Sequence, residues 1–114
     1  MLMITLRDED LRVSLAIERL MEPGDAWRGL VRELVERWPD EPPLDVTLTL
    51  VSAASAIESA FTHDGPSARA VKQGYRLAAL VSVDFYAMQL LGMKRDKASD
   101  FQEYWKIDPF FARL

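Results

Sequence analysis

The segment GPSARAVKQGYRLAALVSVDFYAMQLLG, residues 65–92, decides the fold of this chain. Proline is favoured in the first turn of a helix, and glycine is common just after the last turn. Pro66 and Gly92 therefore predict the two ends of one uninterrupted helix over about residues 66–91. At 1.5 Å per residue this helix would be about 39 Å long, the width of a small domain. We expect it to be the central helix, with the other helices packed around it.

The second half of this helix, from Leu77 onward, is apolar on nearly every side. A helix that is apolar all round has to be surrounded by other elements, so we expect it to be covered. The apolar run is shorter than the ~20 residues that cross a bilayer, and it contains Asp84 and Gln89. The pattern therefore favours a buried helix over a membrane span.

Two helices are predicted near the N-terminus. The first extends from about Leu6 to Met21, with a capping-box pattern at Thr5 and Asp8. The second is AWRGLVRELVERW, residues 26–38, in which apolar residues recur at spacings of three and four. The second helix is the clearest amphipathic helix of the chain, and the bundle as a whole is expected to pack around the central helix.

The segment DVTLTLVSAASAIESAF, residues 45–61, allows two interpretations. Its first six residues alternate as a strand would. As a helix, however, the segment places more apolar residues on a single side. That side contains Val46, Leu50, Ala53, Ala54, Ile57, Ala60 and Phe61. We predict a helix, with alanines that allow a neighbouring helix to approach closely.

A short C-terminal helix is predicted over residues 100–107. Ser99 and Gln102 form another capping-box pattern, and Asp108-Pro109 ends the helix. No internal repeat or low-complexity tract divides the chain. The expected fold is all-α, a bundle of four main helices and one short C-terminal helix in a single domain, residues 1–114.

Composition is that of a globular protein. The chain has 114 residues, of which 49% are hydrophobic and 28% charged, close to the average for folded domains. The absence of cysteine excludes disulfides and thiolate chemistry. The first ten residues lack the pattern of a secretory signal, so we expect a cytoplasmic protein.

Charge is distributed unevenly along the chain. The net charge is −4, but residues 1–64 carry −7 and residues 65–114 carry +3. The two parts are therefore expected to attract each other, within one chain or between copies, or the basic part to meet a phosphate. The acidic total argues against general nucleic-acid binding.

Three cations, Arg69, Lys72 and Arg76, lie on one side of the first turns of the central helix. Cations at this end oppose the helix dipole, so negative charge is expected to face them. One interpretation is an ion-pair strip facing the acidic N-terminal part. The alternative is a site for a phosphate or carboxylate, using the backbone amides near Pro66 as well.

Asp84 is a carboxyl group inside the apolar half of the central helix. None of its neighbours at spacings of three and four can pair with it. If it is buried, it requires a partner from another helix, or it keeps its proton with a raised pKa. We expect an arginine or a tyrosine hydroxyl as that partner, with a tuned acid in a pocket as the alternative.

The C-terminal fourteen residues, FQEYWKIDPFFARL, are rich in aromatic side chains. Two interpretations are open for Tyr104, Trp105, Phe110 and Phe111. They could anchor a partner protein or a membrane surface. They could instead fold back and complete the core, which a chain of this size needs.

Metal, cofactor and nucleophilic chemistry have no support in the sequence. The single histidine, His63, cannot supply a di-metal site, and a structural zinc site lacks its ligands. Neither a phosphate-binding glycine loop nor a nucleophile elbow is present. We expect no metal and no cofactor, and the sequence favours a non-enzymatic role.

Two functions remain. The first is a helical interaction or assembly module, most simply a homodimer, because a small domain with one long helix often leaves apolar surface that a second copy covers. A different protein partner would serve the same purpose. The alternative is a domain that binds an anionic small molecule or a nucleic-acid phosphate through Arg69, Lys72 and Arg76.

Overall fold

The computed structural model describes residues 7–61 and 65–114, and in these ranges the chain is all-α without strands. The main helices are α1 (Asp8–Met21), α2 (Leu30–Arg37), α3 (Leu44–Ala60) and α4 (Gly65–Leu90), and two short helices follow, α5 (Asp100–Tyr104) and α6 (Phe110–Arg113). The predicted all-α fold with a long central helix is confirmed. The predicted start of the first helix at Leu6, with its Thr5 cap, lies outside the described residues.

The second and last predicted helices differ in detail from the expectation. The second begins as a 3₁₀ turn, Ala26–Gly29, before it becomes α2. The C-terminal segment forms two short helices instead of one, because the chain turns at Asp108-Pro109 and then resumes. Ser99 makes no capping hydrogen bond; the carboxylate of Asp100 instead accepts hydrogen bonds from two preceding backbone amides.

The ambiguous segment is a helix, α3, as its apolar stripe predicted. The residues of that stripe up to Ile57 are buried, whereas Ala60 and Phe61 at its end are exposed. Thr49 is one of the polar residues whose alternation with apolar residues is typical of a strand. In the helix its hydroxyl donates a 2.7 Å hydrogen bond to the carbonyl oxygen of Asp45. A threonine can thus satisfy its polar group inside a helix.

The α3–α4 pair is the centre of the fold, and the two helices run antiparallel. Thr47 and Ser82 share a hydrogen bond of 3.3 Å near one end, and the Tyr75 hydroxyl lies 3.4 Å from a Glu58 carboxylate oxygen near the other. Next to Tyr75, Gly74 lies against Ala54, so close that a methyl group added at Gly74 would be 2.9 Å from the Ala54 Cβ. The expected close approach at an α3 alanine therefore occurs.

One side of α4 faces the core and the other faces solvent. Leu77, Val81 and Met88 are buried beneath α1, α3 and the C-terminal helices. On the opposite side Val83 is 62% exposed and Leu90 is 69% exposed. The expectation that the second half of this helix is surrounded is therefore wrong, because α1 and the C-terminal segment cover only one flank.

The loop after α4 is tied to the connector between α2 and α3. The backbone amide of Ala98 donates a 2.7 Å hydrogen bond to the carbonyl of Glu41, and the amide of Ser99 donates one of 2.9 Å to the carbonyl of Pro39. This attachment places the aromatic C-terminal segment against α4. The Cα atoms span 42 × 41 × 19 Å, so the molecule is a slab about two helix diameters thick.

Candidate functional site

The three cations of the proposed anion site lie along the exposed side of α4. Within residues 7–61 and 65–114, none of Arg69, Lys72 and Arg76 forms a salt bridge. The expected ion-pair strip toward the acidic part is therefore not formed among these residues. His63, which precedes the three cations, lies outside the described part of the chain.

Asp84 is buried on the core side of α4, with 7% of its surface exposed. Its Oδ2 atom accepts a 3.1 Å hydrogen bond from the indole Nε1 of Trp105. The predicted arginine or tyrosine partner is therefore wrong. The indole takes this place because the end of α5 brings Trp105 over the last third of α4.

The environment of Asp84 favours its protonated form. Burial raises the pKa of Asp84 from 3.8 to about 6, the Trp105 hydrogen bond acts in the opposite direction, and the charge of Asp108 adds to the increase. Burial, followed by the charges of Asp84 and Asp108, also raises the pKa of Tyr104. Asp84 thus has a tuned pKa, but its place is inside the core.

Most of the C-terminal aromatic side chains complete the core. Tyr104, Trp105 and Phe111 are buried, and the Trp105 ring lies 6.0 Å from Phe101 and 5.7 Å from Phe111 between centroids. Of the four candidate anchors, Phe110 is the exposed one, with 44% of its surface accessible. A partner would therefore meet Phe110 rather than an aromatic cluster.

The most extensive candidate site is a surface that the sequence did not single out. It consists of large apolar side chains on the solvent side of the α3–α4 pair, which we call the outer face. Its members are Leu44, Leu48 and Val51 on α3 and Val83, Tyr86 and Leu90 on α4. All six are exposed, with accessible fractions between 37% and 69%.

Helix geometry explains why these six residues form one surface. On each helix they follow one another at spacings of three and four, so they share one side of that helix. The Thr47–Ser82 hydrogen bond lies between the two rows, which are therefore neighbours. The signal in the sequence was the spacing of Leu44, Leu48 and Val51 outside the core stripe of α3.

The outer face has a bulky end and, next to it, a stretch of small side chains. Because α3 and α4 are antiparallel, Leu44 at the start of α3 lies near Tyr86 and Leu90 at the end of α4. Further along the face the exposed positions Ser55 on α3 and Ala79 on α4 are small. Beyond this small stretch the exposed side chains are large again, at Glu58 and Tyr75.

Some kinds of site are not formed by the described residues. Residues 7–61 and 65–114 contain no group of three or more His, Cys, Asp or Glu side chains that could hold a metal ion. In the same ranges no helix combines the length and the apolar character that crossing a bilayer requires.

Comparison with known proteins gives no match to a family model, to a curated protein or to a solved structure.

Proposed function

We propose that this protein is a non-enzymatic helical assembly module that forms a homodimer through its outer face. The observation that carries the proposal is the row of six exposed apolar side chains on α3 and α4, including Leu48 and Val83. Isolated exposed apolar residues are normal, whereas a contiguous row along two packed helices is the usual mark of an interaction surface.

The size of the outer face is at the upper end of the range for the largest apolar patch of a monomer and approaches that of a dimer interface. With ~150–250 Å² for a large side chain, the exposed fractions of the six residues correspond to roughly 600 Å² per chain. A stable interface buries about 800 Å² per partner, and the largest patch on a typical monomer is about 300–600 Å². Neighbouring exposed positions such as Ser55, Tyr75 and Ala79 supply the remainder.

The arrangement of bulky and small side chains favours a second copy as the partner. A two-fold axis perpendicular to the helices would reverse one chain relative to the other. The bulky end of one face, at Leu44 and Leu90, would then pack against the small stretch of its partner, at Ser55 and Ala79. Such alternation of large and small side chains is how helices interdigitate, and the two α3–α4 pairs would form an antiparallel four-helix bundle.

Substitution of Val83 by lysine tests the proposal. We expect the wild-type protein to have twice its 13.0 kDa chain mass in solution, and Val83→Lys to have the mass of one chain. Because the two-fold axis repeats the substitution, each dimer would have to bury two new charges, which should weaken association at least 100-fold. Light scattering with sedimentation velocity over a range of concentrations measures both masses.

Ile107→Lys is the matched control. Ile107 is 64% exposed, nearly the same as Val83 at 62%, but it lies after α5 and away from the outer face. This variant should remain dimeric, and both variants should keep the helical circular dichroism of the wild type. A wild-type protein that is monomeric at 100 µM, or a Val83→Lys variant that dimerises normally, would refute the proposed assembly.

A further inference from the structure

A pocket lies between α4, the 3₁₀ turn before α2 and the C-terminal helix α6. It has a volume of about 420 Å³, within the range of small-molecule sites. Its described lining residues are Trp27, Arg28, Gln73, Arg76, Leu77, Leu80, Phe110 and Leu114. Three segments far apart in the sequence build it, so the sequence alone gave no indication of it.

The lining of this pocket is mostly apolar. Two aromatic rings, Trp27 and Phe110, and the leucines of α4 form its walls. Leu77 at the base is almost completely buried, whereas Phe110 at the rim is exposed. A ligand with an apolar body would therefore contact the kind of surface that favours burial.

The polar groups of the pocket are an amide and two guanidinium groups. Gln73 and Arg76 project from α4, and Arg28 projects from the 3₁₀ turn, while no acidic side chain is among the described lining residues. The Arg28 guanidinium is 5.1 Å from the Trp27 ring centroid, and its Nε is 3.4 Å from an Asp25 carboxylate oxygen, so it is held at the rim. Arg76 has no salt-bridge partner in the described ranges.

We propose that this pocket binds a small organic carboxylate whose apolar body lies against Trp27, Leu80 and Phe110 while its carboxylate pairs with Arg76. A carboxylate accepts two parallel hydrogen bonds from one guanidinium, which fixes its orientation at Arg76. Gln73 supplies a further amide donor. Arg28 adds a second positive charge at the rim.

This inference narrows the anion site suggested by the sequence and is independent of the outer face. Of the three cations at the start of α4, Arg76 lines the pocket, and Arg69 and Lys72 are not among its lining residues. The apolar wall of the pocket uses the side of α4 that carries Gln73 and Leu77, whereas the outer face uses the side that carries Val83 and Tyr86. Arg76 lies at the boundary between these two sides, seven residues before Val83. Failure of dimerisation would therefore leave the pocket proposal intact.

Three probes separate the contributions of charge and apolar surface. 4-Phenylbutyrate has both an aromatic body and a carboxylate, 4-phenylbutyramide is its neutral counterpart, and acetate has the charge without the body. We expect 4-phenylbutyrate to bind at least tenfold more tightly than either of the others in titration calorimetry. Equal affinity for the acid and its amide would overturn the assignment of Arg76 as a carboxylate partner.

A pair of arginine variants locates the charge. Arg76→Met removes the guanidinium but keeps an apolar chain of similar length, and it should weaken 4-phenylbutyrate binding at least fivefold. Arg69→Met is the matched control on the same helix, and it should leave the affinity unchanged because Arg69 is outside the pocket. Equal weakening in both variants would mean that only the general positive charge of α4 attracts the ligand, and the pocket assignment would fail.

The three tryptophans locate the bound ligand. Each indole N–H gives one nitrogen–proton correlation peak, and only Trp27 lines the pocket; Trp38 and Trp105 lie elsewhere. Addition of 4-phenylbutyrate should shift the Trp27 peak and leave the other two in place. A shift confined to Trp38 or Trp105, or no indole shift at saturation, would place binding elsewhere and refute the proposal.

Discussion

Replacement of Asp84 by asparagine should stabilise the protein at neutral pH. Asparagine keeps an oxygen that accepts the Trp105 indole hydrogen bond but carries no charge to desolvate. The pKa of Asp84 is raised from 3.8 to about 6, and a shift of one unit corresponds to about 1.4 kcal/mol. We therefore expect the free energy of unfolding of Asp84→Asn to exceed that of the wild type by about 2–3 kcal/mol above pH 7.

The difference between the two proteins should depend on pH in a defined direction. Well below pH 3.8 Asp84 is protonated in both the folded and the unfolded chain, so the difference should be small. From about pH 3.8 to about pH 6 the unfolded chain loses this proton before the folded chain does, so the wild type loses stability relative to the variant as pH rises. Above about pH 7 the difference should be constant. Urea unfolding at a series of pH values measures it.

Asp96→Asn is the control for this prediction. Asp96 is exposed in the loop after α4, and the same chemical change there should alter stability by less than about 0.5 kcal/mol at any of these pH values. If Asp84→Asn were no more stable than the wild type at pH 7.5, the described burial of the carboxyl group would be contradicted.

Gly74→Val should have an effect of similar size and opposite sign. A β-carbon at Gly74 would be 2.9 Å from the Ala54 Cβ and 3.2 Å from Leu20 Cδ1, so α3 and α1 would have to move away from α4. Overpacking of this kind costs about 1–3 kcal/mol of stability. Because valine adds two further methyl groups, we expect Gly74→Val to lose stability near the upper end of this range. We expect a decrease in melting temperature of about 10 °C, measured by calorimetry.

Two further variants make this test specific. Ala68→Val introduces the same β-branched residue at an exposed position of α4 and should cost only about 0.6 kcal/mol through helix propensity. Combining Gly74→Ala with Ala54→Gly moves the methyl group from one helix to the other. We expect this double variant to be more stable than the single variant Gly74→Ala. Melting of Gly74→Val within 2 °C of Ala68→Val would show that the helices are not in close contact here.

Local sequence signals predicted the helices well. Pro66 and Gly92 marked the ends of α4 because turn and terminus preferences depend on neighbouring residues only. The core stripe of α3 was found for the same reason, since the period of 3.6 residues is a local property. The sequence predicted that a neighbouring helix would approach the alanines of α3 closely, but it did not identify Gly74 as the residue that contacts Ala54.

The features of the candidate sites could not be predicted in the same way, because they depend on which segments meet. The indole partner of Asp84 lies 21 residues further along the chain. The pocket needs Trp27 and Phe110, which are more than eighty residues apart. The exposure of Val83 depends on which flank of α4 the C-terminal segment covers, and no periodicity encodes that choice.

The backbone attachment of Ala98 and Ser99 to the connector before α3 has a consequence for the order of folding. The α3–α4 hairpin consists of segments adjacent in sequence and can form while later residues are still being synthesised. The hydrogen bond of Asp84 forms only when Trp105, in the segment after this attachment, has docked. The amide protons of Ala98 and Ser99 should therefore exchange with solvent only when that docking is undone, so their exchange rates report whether the segment is docked.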